Sequence, residues 1–474
     1  MHRTSAALIR LLVITALLAG CLSAALAVDQ ALVTQATEGL RKTTTYLTTK
    51  VAVGGGYLGT YTADLSDQWG EDHATRDQNW IQPPGCPSVG FAFLQAWQAT
   101  GEQQYLDAAV QVAHSLVYGQ LDCGGWDYIV DHSPAGAKAW FYRHNRGNAD
   151  ALLTKGRNTA TFDDDTTQHA TRLLIAVDKA LDGKDAAIHE ATMAALDFFL
   201  KAQHESGGWP QRFPPAGHGY GDFFTFNDNT IADCADVMMI AFKAYGDERY
   251  AAAVRHCGDF IVKTQLPAPQ ATWAQQYDFD LQPAWARKFE PAAACGGESV
   301  GVMRLLINIA LFTGDEKYLQ PLPAAFDWFK RSILPGNTWA RFYELKTNRP
   351  LYMTRDTYWL TYSDADMPTH YSFKSDWGSA RLEKTYNDLV QKGLAQAKAE
   401  RERVPQPLTE AQRLKNAEAL EARVRDTLAA QDAEGRWVTT TGGDMPGKAP
   451  RVDMGTFERQ MKVLSDYLKL VNGR

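Results

Sequence analysis

Cysteine is scarce in this chain and never spaced for metal. The six present (Cys21, Cys86, Cys123, Cys234, Cys257 and Cys295 in 474 residues) include no C-x-x-C pair, which excludes the common thiolate zinc sites. A basic excess is also missing. Forty-eight Lys and Arg face 55 Asp and Glu, for a net charge of -7, so bulk composition offers no face for nucleic acid. No strand-rich segment stands out, and no acidic stretch has the spacing of an EF-hand. Long apolar runs are confined to Leu11–Leu26, behind Arg3 and Arg10. That run is too short for a comfortable membrane span and has the form of a secretory leader.

Two cleavage sites fit the leader. Ala25-Leu26-Ala27 would release Val28, and the apolar character reaching Leu26 favours it. Leu18-Ala19-Gly20-Cys21 resembles a lipoprotein box and would leave a lipid anchor on Cys21. Either cut predicts a secreted or periplasmic protein. In such an oxidising compartment the five cysteines after residue 27 allow up to two disulfides with one thiol left over. The alternative for each is a small buried hydrophobe.

What the chain has is tryptophan in a rhythm. Trp126, Trp209, Trp273 and Trp339 are separated by 83, 64 and 66 residues. Each follows two amphipathic segments joined by a short turn: Thr100-Gly101-Glu102, Asp182-Gly183-Lys184, Gly246-Asp247-Glu248 and Gly314-Asp315-Glu316. Gly supplies a left-handed helix stop, and an acid at the next start suits the helix dipole. A weaker fifth unit ends at Gly435-Arg436-Trp437. Apolar residues recur at helical spacing, as in Val300, Met303, Leu305-Leu306 and Ile309. Hairpins repeating about every 65 residues cannot bury their own faces, so they must stack. The spacing predicts an all-α fold: helical hairpins forming a partial α/α toroid, with the Trp loops gathered at one rim. The charged stretch from Lys398 to Arg403 and the following Val404-Pro405-Gln406-Pro407 read as a hinge before a last helical pair.

Charge is sorted by loop. Thr161-Phe162-Asp163-Asp164-Asp165 precedes one helix, and Phe226-Asn227-Asp228-Asn229 holds the same place in the next repeat. Both fit plain N-capping, and both fit a hard-cation site of several oxygens. Later loops are basic: Trp285-Ala286-Arg287-Lys288, then Arg341, Arg349 and Arg355 among aromatics that include Tyr343. Guanidinium forks at this density suit carboxylates. In an acidic protein they point to an anionic small molecule or polymer as local ligand. Thirteen Trp and 19 Tyr fit stacking on sugar rings, with Trp209 and Tyr343 as candidates, and fit a helical core equally well.

The loops together resemble polysaccharide lyase family 10, the α/α-toroid pectate lyases. The resemblance rests on Gly124-Gly125-Trp126, Thr161-Phe162-Asp163-Asp164, Gly207-Gly208-Trp209-Pro210-Gln211, Phe226-Asn227-Asp228, Glu298-Ser299-Val300-Gly301 and the Arg341–Arg355 run, in that order, over about residues 85–375. With the leader at 1–27, this gives a catalytic domain at 28–375, of which about 85–375 carries the resemblance, and helical hairpins at 376–474 are expected to pack on or complete the toroid. The resemblance implies Arg355 as catalytic base. Asp163 and Asp228, with Asp164 beside them, would hold Ca²⁺, and Arg287 and Arg341 would grip the carboxylates of an anionic polysaccharide such as polygalacturonate; Arg349 and Asn227 join them as candidate substrate-binding residues, and a monomer is expected. Three departures stand out. Asp164 replaces a usual Asn, Thr357 follows Arg355-Asp356 where Gly is usual, and Tyr371-Ser372-Phe373 replaces a Tyr-x-Trp.

The chemistry explains both signs of charge. β-Elimination removes the C5 proton, α to the uronate carboxylate, and expels the C4 oxygen. The carbanion-like state needs that carboxylate neutralised, by metal held on acidic loops and by arginines. Arginine has a free pKa above about 12, so neighbouring Arg341, Arg349 and Ca²⁺ would have to lower it, and an alkaline optimum follows. Two rival readings remain: a glycoside hydrolase using Asp163 and Asp228 about 5 to 9.5 Å apart, and a non-catalytic uronate-binding envelope protein.

Overall fold

The computed structural model describes residues 28–146, 156–215, 217 and 219–474. The expected leader and Cys21 lie outside them. Among the described residues no helix is long and apolar enough to cross a membrane.

Helical hairpins form the body, as the repeat predicts. Helix α1 spans Gln30–Tyr46, α2 Cys86–Thr100, α3 Gln103–Gly119, α4 Thr166–Ala180, α5 Ala186–Ala202, α6 Thr230–Tyr245, α7 Glu248–Thr264, α8 Gly296–Thr313 and α9 Leu322–Arg331. After these come α10 (Ser379–Lys392), α11 (Leu394–Glu402), α12 (Glu410–Ala429) and α13 (Met454–Asn472). Helices α2, α4, α6 and α8 pack side by side as the inner layer of an arc, with α3, α5, α7 and α9 behind them. Helix α13 extends the inner layer on the other flank of α2, backed by α1 and α12, while α10 and α11 lie on α8. The architecture is all-α, a partial toroid of helical hairpins. Three helices stop where the sequence puts glycine: Gly101, Gly246 and Gly314 take φ of 74°, 71° and 77°.

The repeated tryptophans are framework. Each donates its indole N–H to a carbonyl near the end of the preceding outer helix: Trp126 to Leu116, Trp209 to Phe199, Trp273 to Ile261 and Trp339 to Phe329, all at 2.8–2.9 Å. Trp437 does the same to Thr427, which makes the weak fifth unit a true repeat. The ring plugs the hairpin while the N–H takes a carbonyl of the helix's last turn. Of the alternatives for cysteine, burial prevails. Cys86, Cys123, Cys234, Cys257 and Cys295 are all free thiols, four of them buried.

The rim departs from the sequence expectation, because it is laced with short strands. Ala160–Thr161 pairs with Arg212–Phe213, Phe224–Thr225 with Gln276–Tyr277, and Ala294–Cys295 with Phe342–Tyr343. The strand before each inner helix thus pairs with the Trp loop of the following repeat. These ladders of two residues are too short to leave a periodic signal, yet they clamp successive loops together at one end.

Candidate active site

Thr161-Phe162-Asp163-Asp164-Asp165-Thr166 and Thr225-Phe226-Asn227-Asp228-Asn229-Thr230 are one turn used twice. In each, the Phe N–H donates to the carbonyl of Gln211 or Gln275 at 2.8 Å, and the next N–H donates to the Thr hydroxyl at 3.1 Å. The following two residues are left-handed: Asp164 and Asp165 at φ 49° and 58°, Asp228 and Asn229 at 47° and 59°. Asp and Asn tolerate this region best among residues with a Cβ, and the cost is of order 1 kcal/mol for each. Capping does not account for them. Asp165 and Asn229 make no side-chain cap, whereas Asp29, Asp185 and Asp247 each cap their own helix.

The twinned turns bring Asp163, Asp164 and Asp228 together, with an oxygen of each within 4.8 Å of the others. The Tyr128 hydroxyl donates to Asp163 at 3.0 Å and lies 3.4 Å from Asp164. Asp163 Oδ1 is buried with no hydrogen-bond partner. Burial, then repulsion from Asp163 and Asp228, pushes Asp164 up to about 7. Desolvation, then Asp163 and Glu298, pushes Asp228 up to about 6 against the pull of Arg287 and Arg341. A hard cation would relieve each of these features: the crowded carboxylates, the idle buried oxygen and the raised protonation. The residues fit Ca²⁺.

Arg172 braces this arrangement from behind. It reaches from α4 to Asp165, to Asp233 at 2.9 Å and to Asp236 at 3.0 Å on α6. One guanidinium thereby ties the two helices that carry the twin turns.

The opposite wall is basic. Arg287 forms a bidentate pair with the buried Glu290, at 2.7 and 2.6 Å. Arg341, 12% exposed, pairs with Glu298 and donates to the Ser372 carbonyl at 3.2 Å. Their guanidinium groups flank the Tyr371 ring, 5.6 and 4.1 Å from its centroid. Tyr371 in turn donates to Glu290 at 2.8 Å and lies 3.2 Å from Asn227 Oδ1. Its hydrogen bonds to Glu290 hold Arg287 well above the ordinary arginine range. Burial opposes the Arg341 charge, but Glu298 and Tyr371 outweigh it and hold that group high as well. Three buried donors here lack an acceptor: Arg341 Nε, Gln275 Nε2 and Trp377 Nε1. A cleft of about 230 Å³ opens between Asp228, Glu298, Arg341 and Trp377.

The structure therefore gathers Asp163, Asp164, Asp228, Asn227, Arg287 and Arg341. A β-hairpin, Phe342–Tyr343 against Pro350–Met353, carries Arg349 away from Arg341 to its turn, 3.4 Å above the Tyr362 ring, and then runs back alongside Phe342. Arg355 follows the returning strand, half exposed with Asp366 at 3.5 Å, on a turn whose Tyr358 ring lies 4.0 Å from the Lys288 Nζ. Trp209 and Tyr343 correct the sequence reading. Trp209 is fully buried, and Tyr343 is 1% exposed with its hydroxyl bonded to the Ser332 carbonyl, so neither ring can meet a sugar. Tyr128, Glu290 and Trp377 carry no signal that sequence reasoning could use, since single aromatics and acids in loops have many uses. Glu298 and Tyr371 stood in motifs that had been noticed without a role.

Comparisons bear on the family. The family model described as pectic acid lyase matches residues 137–338. Among solved structures, a family 10 polysaccharide lyase from Cellvibrio cellulosa is 25% identical, with 64% of this chain and 98% of that one covered at a TM-score of 0.46. A point mutant of that enzyme in complex with trigalacturonic acid is 24% identical over the same shares, at 0.45. A D-mannose isomerase is 14% identical, covering 92% and 97% at 0.46. No curated protein matches. The family match over residues 137–338, less than half of the chain, bears out the resemblance carried by the loop motifs and supports a polysaccharide lyase of the pectic acid lyase type.

Proposed function

We propose that the protein cleaves polygalacturonate or a similar uronan by β-elimination, with Ca²⁺ held by Asp163, Asp164 and Asp228 and an arginine as base. The observation that carries this reading is a set of opposite unmet needs close to one cleft. Asp163 Oδ1, in the acidic cluster with the cleft-lining Asp228, lacks a donor, while Gln275 Nε2 and, in the cleft lining, Arg341 Nε and Trp377 Nε1 lack acceptors. Leaving such groups unsatisfied costs about 1–3 kcal/mol each. A cation and a carboxylate side by side would satisfy both needs, and a uronate on Ca²⁺ is such a pair.

In this reading Arg341, locked by Glu298 and by the Tyr371 ring, orients the uronate carboxylate. Tyr371 and Asn227 position the sugar beside it. Bound Ca²⁺ would neutralise the carboxylate on which negative charge grows as the C5 proton leaves. The resemblance gives the base role to Arg355. Arg355 is half exposed and its pair with Asp366 is long, 3.5 Å, whereas the bidentate pair with Glu290 keeps Arg287 charged and fits it to grip a carboxylate.

The deciding experiment incubates the protein with polygalacturonate and Ca²⁺ and follows near-ultraviolet absorbance of unsaturated ends. Absorbance that appears, and vanishes on chelation, supports the reading. New reducing ends without absorbance would overturn it in favour of hydrolysis.

A further inference from the structure

The rim carries a second pair of arginines, tied to the acidic cluster through Tyr128 and two repeats before Arg287 and Arg341 in chain order, and neither the family resemblance nor the site above gives it a role. Arg157 donates to Asp127 at 3.0 Å, and Arg212 reaches the same carboxylate oxygen at 3.6 Å. Asp127 is buried, with its other oxygen taken by the Tyr128 N–H at 2.8 Å. Two guanidinium groups thus share one carboxylate, leaving a net positive charge that is only partly covered: Arg157 is 59% exposed and Arg212 27%.

Tyr128 joins this pair to the acidic cluster. The Arg212 guanidinium lies 5.9 Å from the Tyr128 ring centroid, and the hydroxyl at the other end of that ring donates to Asp163. Backbone pairing fixes the same relation, since Arg212 is the cross-strand partner of Thr161, two positions before Asp163. The fold does not require arginine there. In the next two repeats the equivalent cross-strand positions are Gln276 and Phe342, both buried. Beyond its 3.6 Å approach to Asp127, Arg212 makes no side-chain hydrogen bond among the described residues. Arg157 lies 4.6 Å over the Trp140 ring, which adds an aromatic surface beside the charge.

We propose that Arg157 and Arg212 form an outer subsite that binds the carboxylate of a further uronate unit. They would fix how much of an acidic polysaccharide the cleft holds on the Tyr128 side. Asp127 keeps the two forks in place without cancelling their charge, and Trp140 supports Arg157 next to the sugar. The inference rests on the uronan reading for its substrate class. It adds a direction to the cleft: Arg157 and Arg212, then Tyr128, then the acidic cluster, then Arg287 and Arg341.

The test is calorimetric binding of oligogalacturonates of two to six units, with Ca²⁺, to the full protein and to Arg212→Gln and Arg157→Gln. Each single substitution leaves Asp127 one guanidinium, so the folded state should survive, and a melting curve checks it. Wild-type affinity is expected to rise with length until the outer subsite is reached. Both variants should lose about tenfold on the longest oligomers (one bidentate charge-assisted contact, about 1.4 kcal/mol) and nothing on the shortest. Arg212→Lys should restore part of the loss, since charge returns without the fork. Equal affinity of wild type and variants at every length would overturn the subsite, as would an equal loss at every length. Failure of the wild type to release unsaturated product would instead count against the lyase reading, and the length dependence of binding would still test the subsite.

Discussion

At the scale of single residues, the sharpest question is which arginine takes the proton. A general base contributes roughly 100- to 10,000-fold to rate, and lysine cannot reproduce a guanidinium held by a bidentate carboxylate. Arg355→Lys is expected to lower kcat by that order while KM changes little, and Arg287→Lys, which loses the fork, to raise KM with kcat within about tenfold. The reverse pattern in steady-state assays would move the base to Arg287 and leave Arg355 as a binding residue. Asp164 poses a second question, because it adds a charge where the resembled family has Asn. It occupies the same position in its turn as Asp228 does in the twin. Asp164→Asn should therefore keep activity but need about tenfold more Ca²⁺ for half-maximal rate, since one ligand charge is gone. Complete loss at saturating Ca²⁺ would make the extra carboxylate indispensable.

At the scale of elements, what the sequence revealed and what it hid divide by length. Helices of 15 to 18 residues leave several turns of apolar periodicity, and Gly101, Gly246 and Gly314 mark their ends. Asp163 and Asp228 were legible because the turn that holds them occurs twice. Two-residue strands leave no period, so the Phe342–Met353 hairpin was invisible, and with it the separation of Arg341 from Arg349. Tryptophan misled for a different reason. Its rhythm is a property of the scaffold, yet an aromatic in a loop next to charged residues reads as a sugar platform. Trp209→Phe tests this directly. It removes the indole N–H, one of the two donors to the Phe199 carbonyl (the Gln203 N–H at 3.1 Å remains), at about 1 kcal/mol. The midpoint of denaturation should fall, while KM at a temperature where the variant is folded should not move. A KM raised several-fold with unchanged stability would show that the ring meets substrate after all.

At the scale of the whole molecule, the acidic cluster couples the rim to folding. Asp164 and Asp228 have folded values of about 7 and 6, against 3.8 for an unperturbed Asp. Without a cation, the native state therefore holds protons that the unfolded chain has already released between about pH 4 and 7. Stability contributed by these groups must fall as pH rises through that window, and the full penalty remains above it. A cation binds the ionised forms and removes the penalty, so its stabilising effect must grow with pH. Melting temperatures at pH 5 and pH 8, with chelator and with millimolar Ca²⁺, give four numbers. The rise produced by Ca²⁺ should be several degrees larger at pH 8, and Asp164→Asn should shrink that difference. Because Arg172 ties α4 to α6 directly behind the twin turns, the gain should appear in the main cooperative transition and not as a separate local one. An equal Ca²⁺ effect at the two pH values, or none at either, would mean that these three carboxylates do not share a cation.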